Sequence, residues 1–124
     1  LADAGSFKEY WPLVVAMQHD RHDLETLRRQ TPADGLIAGM CTINGDVVEA
    51  DRARAMIVHY DYTVLAGTQG WRNHHKQDRM FELAHRARIP VVLFGEGGGG
   101  RPGLDSAGPA DHDPERLEPG DGGA

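Results

Sequence analysis

Ala55-Met-Ile-Val-His-Tyr60, Ala66-Gly-Thr-Gln-Gly70, the segment Trp71 to Arg88 and Ile89-Pro-Val-Val-Leu-Phe94 follow one another along the chain, and their reading decides the fold. The first run is apolar and bounded by Asp61, which predicts a strand. From Trp71 to Arg88 the apolar positions Met80, Phe81, Leu83, Ala84 and Ala87 recur with helical spacing, and Pro90 ends the segment. Val91 to Phe94 is a short continuous apolar run of the kind buried on both faces in an α/β core. A strand, a helix and a second strand joined in this way make parallel neighbours. The glycine-rich turn Ala66 to Gly70 introduces the helix.

Upstream, Tyr10-Trp-Pro-Leu-Val-Val-Ala-Met17 is apolar with a proline near its start, which suits an outer strand. Asp20 or His22-Asp23 can cap a short amphipathic helix carrying Leu24 and Leu27, ending before Thr31-Pro32. Leu36 to Ile43 reads as a strand, with Asn44-Gly45 as a two-residue hairpin turn and Val47-Val48 opening the return strand. Tyr62 to Leu65 reads as further strand material. The order is that of a layered α/β unit of the β-β-α kind, with no tandem repeat.

Composition limits the function classes. The chain has 124 residues and a formal charge of −6, most of it in residues 95–124, whose seven acidic and two basic side chains give −5. With ten glycines and four prolines among those thirty residues, this end is too poor in apolar groups to offset the entropy of folding, and it is expected to be disordered. No basic excess marks a nucleic-acid footprint. No apolar run approaches the roughly 20 residues that cross a bilayer, and no signal segment opens the chain. A soluble, cytoplasmic protein without membrane or nucleic-acid partners is expected. The single cysteine, Cys41, reads as a small buried strand residue in a reducing compartment rather than a nucleophile.

Three further stretches carry a resemblance. Thr31-Pro-Ala-Asp-Gly-Leu-Ile-Ala-Gly-Met-Cys-Thr-Ile-Asn-Gly45, Tyr60-Asp-Tyr-Thr-Val-Leu-Ala-Gly-Thr-Gln-Gly70 and Arg88-Ile-Pro-Val-Val-Leu-Phe-Gly-Glu-Gly-Gly-Gly-Gly-Arg101 occur in this order. They resemble the carboxyltransferase component of biotin-dependent acyl-CoA carboxylases, of the acetyl-CoA and propionyl-CoA carboxylase beta type, and Asp3-Ala-Gly-Ser-Phe-Lys-Glu-Tyr10 is similar to the segment before that family's first core strand. The resemblance covers about residues 1–103 and implies part of a crotonase-like superhelix of β-β-α units, an acyl-CoA carboxyltransferase N-terminal domain over 1–103 and a tail over 104–124. It also implies an acyl-CoA substrate, carboxybiotin on a partner carrier, a biotin carboxyl carrier protein or biotin carboxylase subunit as partner, and a homo-oligomer in the intact enzyme. Carboxyl transfer then passes through an enolate of the thioester. The chain alone is expected to be inactive, because the resemblance assigns the biotin-facing domain elsewhere. A noncatalytic acyl-CoA-binding or assembly fragment, or a truncated gene product, are the alternatives.

An enolate oxygen calls for preorganised N–H donors. Matching the family's glycine pair assigns that role to the amides of Gly98 and Gly99, with Gly100 and Arg101 beside them on the ligand. Taken alone, Gly95 to Gly103 reads more readily as a flexible leader into the tail, and it is the upstream motifs that favour the ligand role. Gly67, Thr68, Gln69 and Gly70 sit where the family approaches acyl-CoA, and a helix N-terminus there offers amides to a thioester or phosphate; a tight strand-to-helix turn would need the same glycines. Lys76, Arg72 and Arg79 read as a solvated helical face that could also meet CoA phosphates. The seven histidines lack the spacing of a ligand set, and no metal is expected. Asp61 and Glu96 fit turn and cap roles better than acid–base chemistry.

Overall fold

The computed structural model describes residues 1–101 and Asp105. The expected tail, 104–124, therefore lies outside the described residues except for Asp105. The strands are β1 (Lys8–Glu9), β2 (Leu36–Thr42), β3 (Arg54–Tyr60) and β4 (Val91–Phe94); the helices are α1 (Leu24–Gln30), α2 (Ala50–Ala53) and α3 (Trp71–Ala87). The strands form one sheet in the order β1-β2-β3-β4. β1 and β3 flank β2 antiparallel, and β4 joins β3 in parallel. The long helix returns the chain to a parallel neighbour, as the period change in the sequence requires.

Pairing of Leu36 with Tyr60, Ala38 with Val58 and Met40 with Met56 puts these side chains on one sheet face, since alternate residues of a strand share a side. Leu36, Ala38, Met56, Val58 and Tyr60 pack there against Met80, Ala84 and Ile89. α3 ends at Arg88, which adopts a left-handed conformation with φ 52° and donates its N–H to the helix's last carbonyls, and Pro90 follows. α1 starts where the sequence places it: the Asp23 carboxylate accepts the Thr26 N–H at 2.8 Å, and hydrogen bonds from the Thr26 side chain and then this amide hold its pKa below the ordinary value.

Four strand expectations fail for identifiable reasons. Tyr10 to Met17 is irregular. Its buried end is fastened by a side chain instead of a ladder: the Ala16 N–H donates to Thr31 Oγ1 at 3.0 Å, and the Thr31 hydroxyl donates to the Leu27 carbonyl at 2.7 Å. Asn44-Gly45 does not make a two-residue hairpin. The Asp3 carboxylate takes the amides of Asn44 and Gly45 at 3.0 and 2.8 Å and the Thr42 hydroxyl at 2.7 Å, so the chain detours through α2 before β3. Val47 is consequently 77% exposed and outside the sheet. Tyr62 to Leu65 turns rather than extends, because Asp61 Oδ1 accepts from both the amide and the hydroxyl of Thr63. β4 is a strand but is not buried on both faces: among the described residues it pairs with β3 alone, and Leu93 and Phe94 are 49% and 41% exposed.

Candidate functional site

The glycines of the two motifs meet. Residues 66–70 lead into α3, residues 95–101 follow β4, and the parallel arrangement of β3 and β4 brings both loops to one end of the sheet. Gly67 has φ +65°, and a side chain there would overlap the Glu96 carbonyl oxygen; one on Gly97 would overlap the Gly67 carbonyl. One on Gly70 would strike the Arg101 guanidinium. These glycines let loop approach loop. The backbones are then stitched: Gln69 N–H donates to Gly99 O at 2.8 Å, Arg101 N–H to Gln69 O at 2.9 Å and Gly98 N–H to Ala66 O at 3.2 Å.

Gly99, with φ +91°, and Gly100 have open space where a side chain would project. Gly100 bridges Gln69 in parallel, so the bonds to Gln69 come from its neighbours and its own N–H is turned to the other side. Among the described residues the Gly99 and Gly100 amides have no acceptor. The Gly98 amide, expected as an oxyanion donor, is engaged by Ala66. A cavity of about 230 Å³ opens between the loops, lined by Tyr60, Gly67, Gln69, Glu96 and the backbone of Gly95, Gly97 and Gly99.

Beneath the loops lies a charged network that the sequence did not reveal. The side chains of Arg101 and Asp34 are both 0% exposed and pair at 2.8 Å. Arg101 also donates through Nε to Thr68 Oγ1 at 3.1 Å, through Nη2 to the Thr68 carbonyl at 2.9 Å and through Nη1 to the Asp105 carboxylate at 3.2 and 3.3 Å. The other Asp34 oxygen accepts the Asn73 N–H at 2.7 Å, while Asn73 Nδ2 returns a bond to the Asp34 carbonyl at 2.8 Å. Asp105 accepts the Trp71 N–H at 2.9 Å and the Gln18 amide at 3.1 Å. Burial pushes the Asp34 carboxyl above its ordinary value against the pull of Arg101.

Two amides of the first turn of α3 are therefore engaged by the protein's own carboxylates, and the expectation that this helix end presents them to a ligand is corrected. Arg101 lies beneath the loop, with its guanidinium turned inward. Lys76 is corrected as well: it is 3% exposed, and its ammonium donates to the carbonyls of Trp11, Ala33 and Leu36. Burial lowers its pKa to about 8. The signal for these residues was present in α3, where Asn73 and Lys76 fall on the helical stripe of Met80 and Ala84. Arg72 and Arg79 line a separate cleft of about 410 Å³ with Trp11, Val14, Trp71 and His75, where the Trp71 and His75 rings stack at 5.5 Å. Cys41 is buried, which raises its pKa and keeps it a thiol. No helix among the described residues is long and apolar enough to cross a membrane.

Neither a protein-family model nor a curated protein matches the chain. Solved structures do. A single-chain, multi-domain long-chain acyl-CoA carboxylase is 56% identical over 90% of this chain, with a TM-score of 0.81. Transcarboxylase 12S, solved with methylmalonyl-CoA and methylmalonic acid bound, is 26% identical over 82% of the chain with a TM-score of 0.63. The beta subunit of P. aeruginosa geranyl-CoA carboxylase, 24% identical with a TM-score of 0.61, shares the fold. The chain spans 11%, 18% and 16% of these proteins. Over most of its length, then, the chain is similar in sequence to the carboxyltransferases of acyl-CoA carboxylases and shares part of their crotonase-like α/β fold.

Proposed function

We propose that this chain is the acyl-CoA-binding part of a biotin-dependent acyl-CoA carboxyltransferase. The observation that carries the reading is the Gly99–Gly100 segment: two successive amides with no acceptor among the described residues, on a loop fixed against a second glycine loop, next to a cavity that Gly99 lines. Such donors suit an oxygen on which negative charge develops. A thioester oxygen placed there gains stabilisation as the α-carbon loses its proton and the enolate forms. Carboxybiotin on a partner carrier would supply the carboxyl group and, in giving it up, would take the proton that leaves the α-carbon. No residue of this chain is assigned to biotin. The carrier partner, the oligomer and the complete reaction belong to the proposal for an enzyme of the relatives' length.

Gly98 and Gly99 were the donors expected from the motif, and Gly98 can join the site only by releasing Ala66. The pair is therefore best served by Gly99 and Gly100, with Gly67, Gln69 and Gly99 lining the cavity and the Gly100 N–H on the side away from Gln69. Residues 1–103 are proposed to act as one binding unit.

Calorimetry of the 124-residue chain against acetyl-CoA and propionyl-CoA tests this. Gly100→Ala keeps the N–H and has room for its methyl group, so its affinity should stay within about twofold. Gly100→Pro removes the donor; loss of about 1–2 kcal/mol, roughly five- to thirtyfold in Kd, is expected. Equal affinities for the two variants would remove Gly100 from the site. Absence of saturable binding by the unmodified chain would remove the reading itself.

A further inference from the structure

The glycine loop begins after β4, a four-residue strand with one partner strand among the described residues, and this alone cannot hold backbone amides to the tolerance that catalysis needs. We propose that Arg101 is the positioning residue of this loop: its buried guanidinium, tied to Asp34, Thr68 and Asp105, clamps residues 95–101 onto residues 66–70 and sets the Gly99 and Gly100 amides. The proposal rests on the acyl-CoA reading for its functional consequence.

The geometry assigns each part. Arg101 is the residue next to the open amides, so fixing it fixes them. Its Nε and Nη2 grip both the hydroxyl and the carbonyl of Thr68, inside the opposing loop, at 3.1 and 2.9 Å. Its Nη1 meets Asp34, which is anchored through two bonds to Asn73 in the first turn of α3. Asp105, on the far side of the loop, ties the same guanidinium to the Trp71 amide. The positive end of α3 thus acts on two carboxylates, and these act on Arg101. A planar guanidinium directs its donors to several acceptors at once, whereas a lysine ammonium cannot reproduce that fork. Gly70 has no side chain where the guanidinium passes, so the loop and the clamp are built for one another.

Three variants of the 124-residue chain test this: Arg101→Met, Asp34→Asn and the double variant. Three readouts are used: urea unfolding, amide exchange at Gln69 and Arg101, and calorimetry with propionyl-CoA. Each single change leaves a buried charge poorly compensated and should lower stability; the double variant removes the Arg101–Asp34 pair, leaves Asp105 on the Trp71 amide and Gln18, and should regain part of it. Exchange at Gln69 and Arg101, whose N–H groups stitch the loops, should remain at least about tenfold faster in the double variant, while exchange in β2 and β3 returns to normal. Its propionyl-CoA affinity should stay at least about tenfold weaker than that of the unmodified chain. A double variant that regains stability, slow loop exchange and affinity together would overturn the proposal, leaving Arg101 a structural ion-pair partner only. If Arg101→Met fails to fold, the double variant decides. If the unmodified chain does not bind propionyl-CoA, the functional reading fails, and the exchange comparison still decides whether Arg101 clamps the loops.

Discussion

Lys76 shows how a residue that reads as surface can be interior. Its ammonium is the shared donor for three carbonyls that come from the Trp11 turn, the Thr31–Gly35 segment and the start of β2. Lys76→Met strands those oxygens, and about 1–3 kcal/mol of stability should be lost at pH 7. The pH dependence follows from the lowered pKa. Between about 8 and the ordinary 10.5, the unfolded chain holds the Lys76 proton and the folded chain does not. Unfolding then takes up a proton, so this group's contribution to stability rises with pH through that window. Urea unfolding at pH 7.5 and pH 10 should show the difference between the unmodified chain and Lys76→Met growing by about 1–3 kcal/mol. A difference that shrinks on going to pH 10 contradicts this account of the site.

The same residue marks how far the sequence could be read. Periodicity located α3 to within a residue at its end, because Met80, Phe81, Leu83, Ala84 and Ala87 all respond to the same helical spacing. The same spacing puts Asn73 and Lys76 on the buried stripe, but it does not identify their partners, a carboxylate and backbone carbonyls far away in the chain. Asp34 lay inside a motif already singled out, yet nothing local distinguishes an aspartate that pairs with Arg101 across 67 residues. The glycines were legible as special; their reason was only half legible. Gly67, Gly70 and Gly97 lack side chains because another part of the chain lies against them, while Gly99 and Gly100 face open space.

At the level of elements, local propensity succeeded where one long periodic segment decides and failed where a side chain competes with the ladder. Asp3 and Asp61 are the competitors: the Asp3 carboxylate captures two backbone amides and the Asp61 carboxylate one that a continued strand would have used. The hydrogen bonds to Asp3 also hold its pKa below the ordinary value, led by the Thr42 hydroxyl. β1 survives as two residues because of a glycine. Gly39 lies beneath the Phe7 ring and the Lys8 carbonyl, and a side chain there would overlap both. Gly39→Ala should therefore push β1 away from β2, at a cost of about 1–3 kcal/mol. Amide exchange at Tyr10, whose N–H donates to Ala38 O at 2.8 Å, should accelerate while exchange in β3 changes far less. Unchanged protection at Tyr10 would show that β1 accommodates the methyl group.

For the whole molecule, the order of elements is also an order of function. The parallel β3-α3-β4 unit carries one glycine loop at its entrance to the helix and the other at its exit from β4, so the topology alone makes them neighbours. The core behind them is shared by β2, β3 and α3, and Met80 sits in it with no exposure. Met80→Ala should lower stability by about 2–5 kcal/mol, read by urea unfolding, without moving the loop amides relative to one another.

The central claim is that acyl-CoA meets this chain at the Gly99–Gly100 turn, and amide-resolved NMR during a titration with acetyl-CoA tests it most directly. The account predicts saturable shifts led by Gly99 and Gly100, followed by Gly67 and Gln69, with the same midpoint at each. Shifts centred instead on Trp11, Trp71 and His75 would place the ligand in the aromatic cleft, and no shifts at any amide would contradict binding altogether.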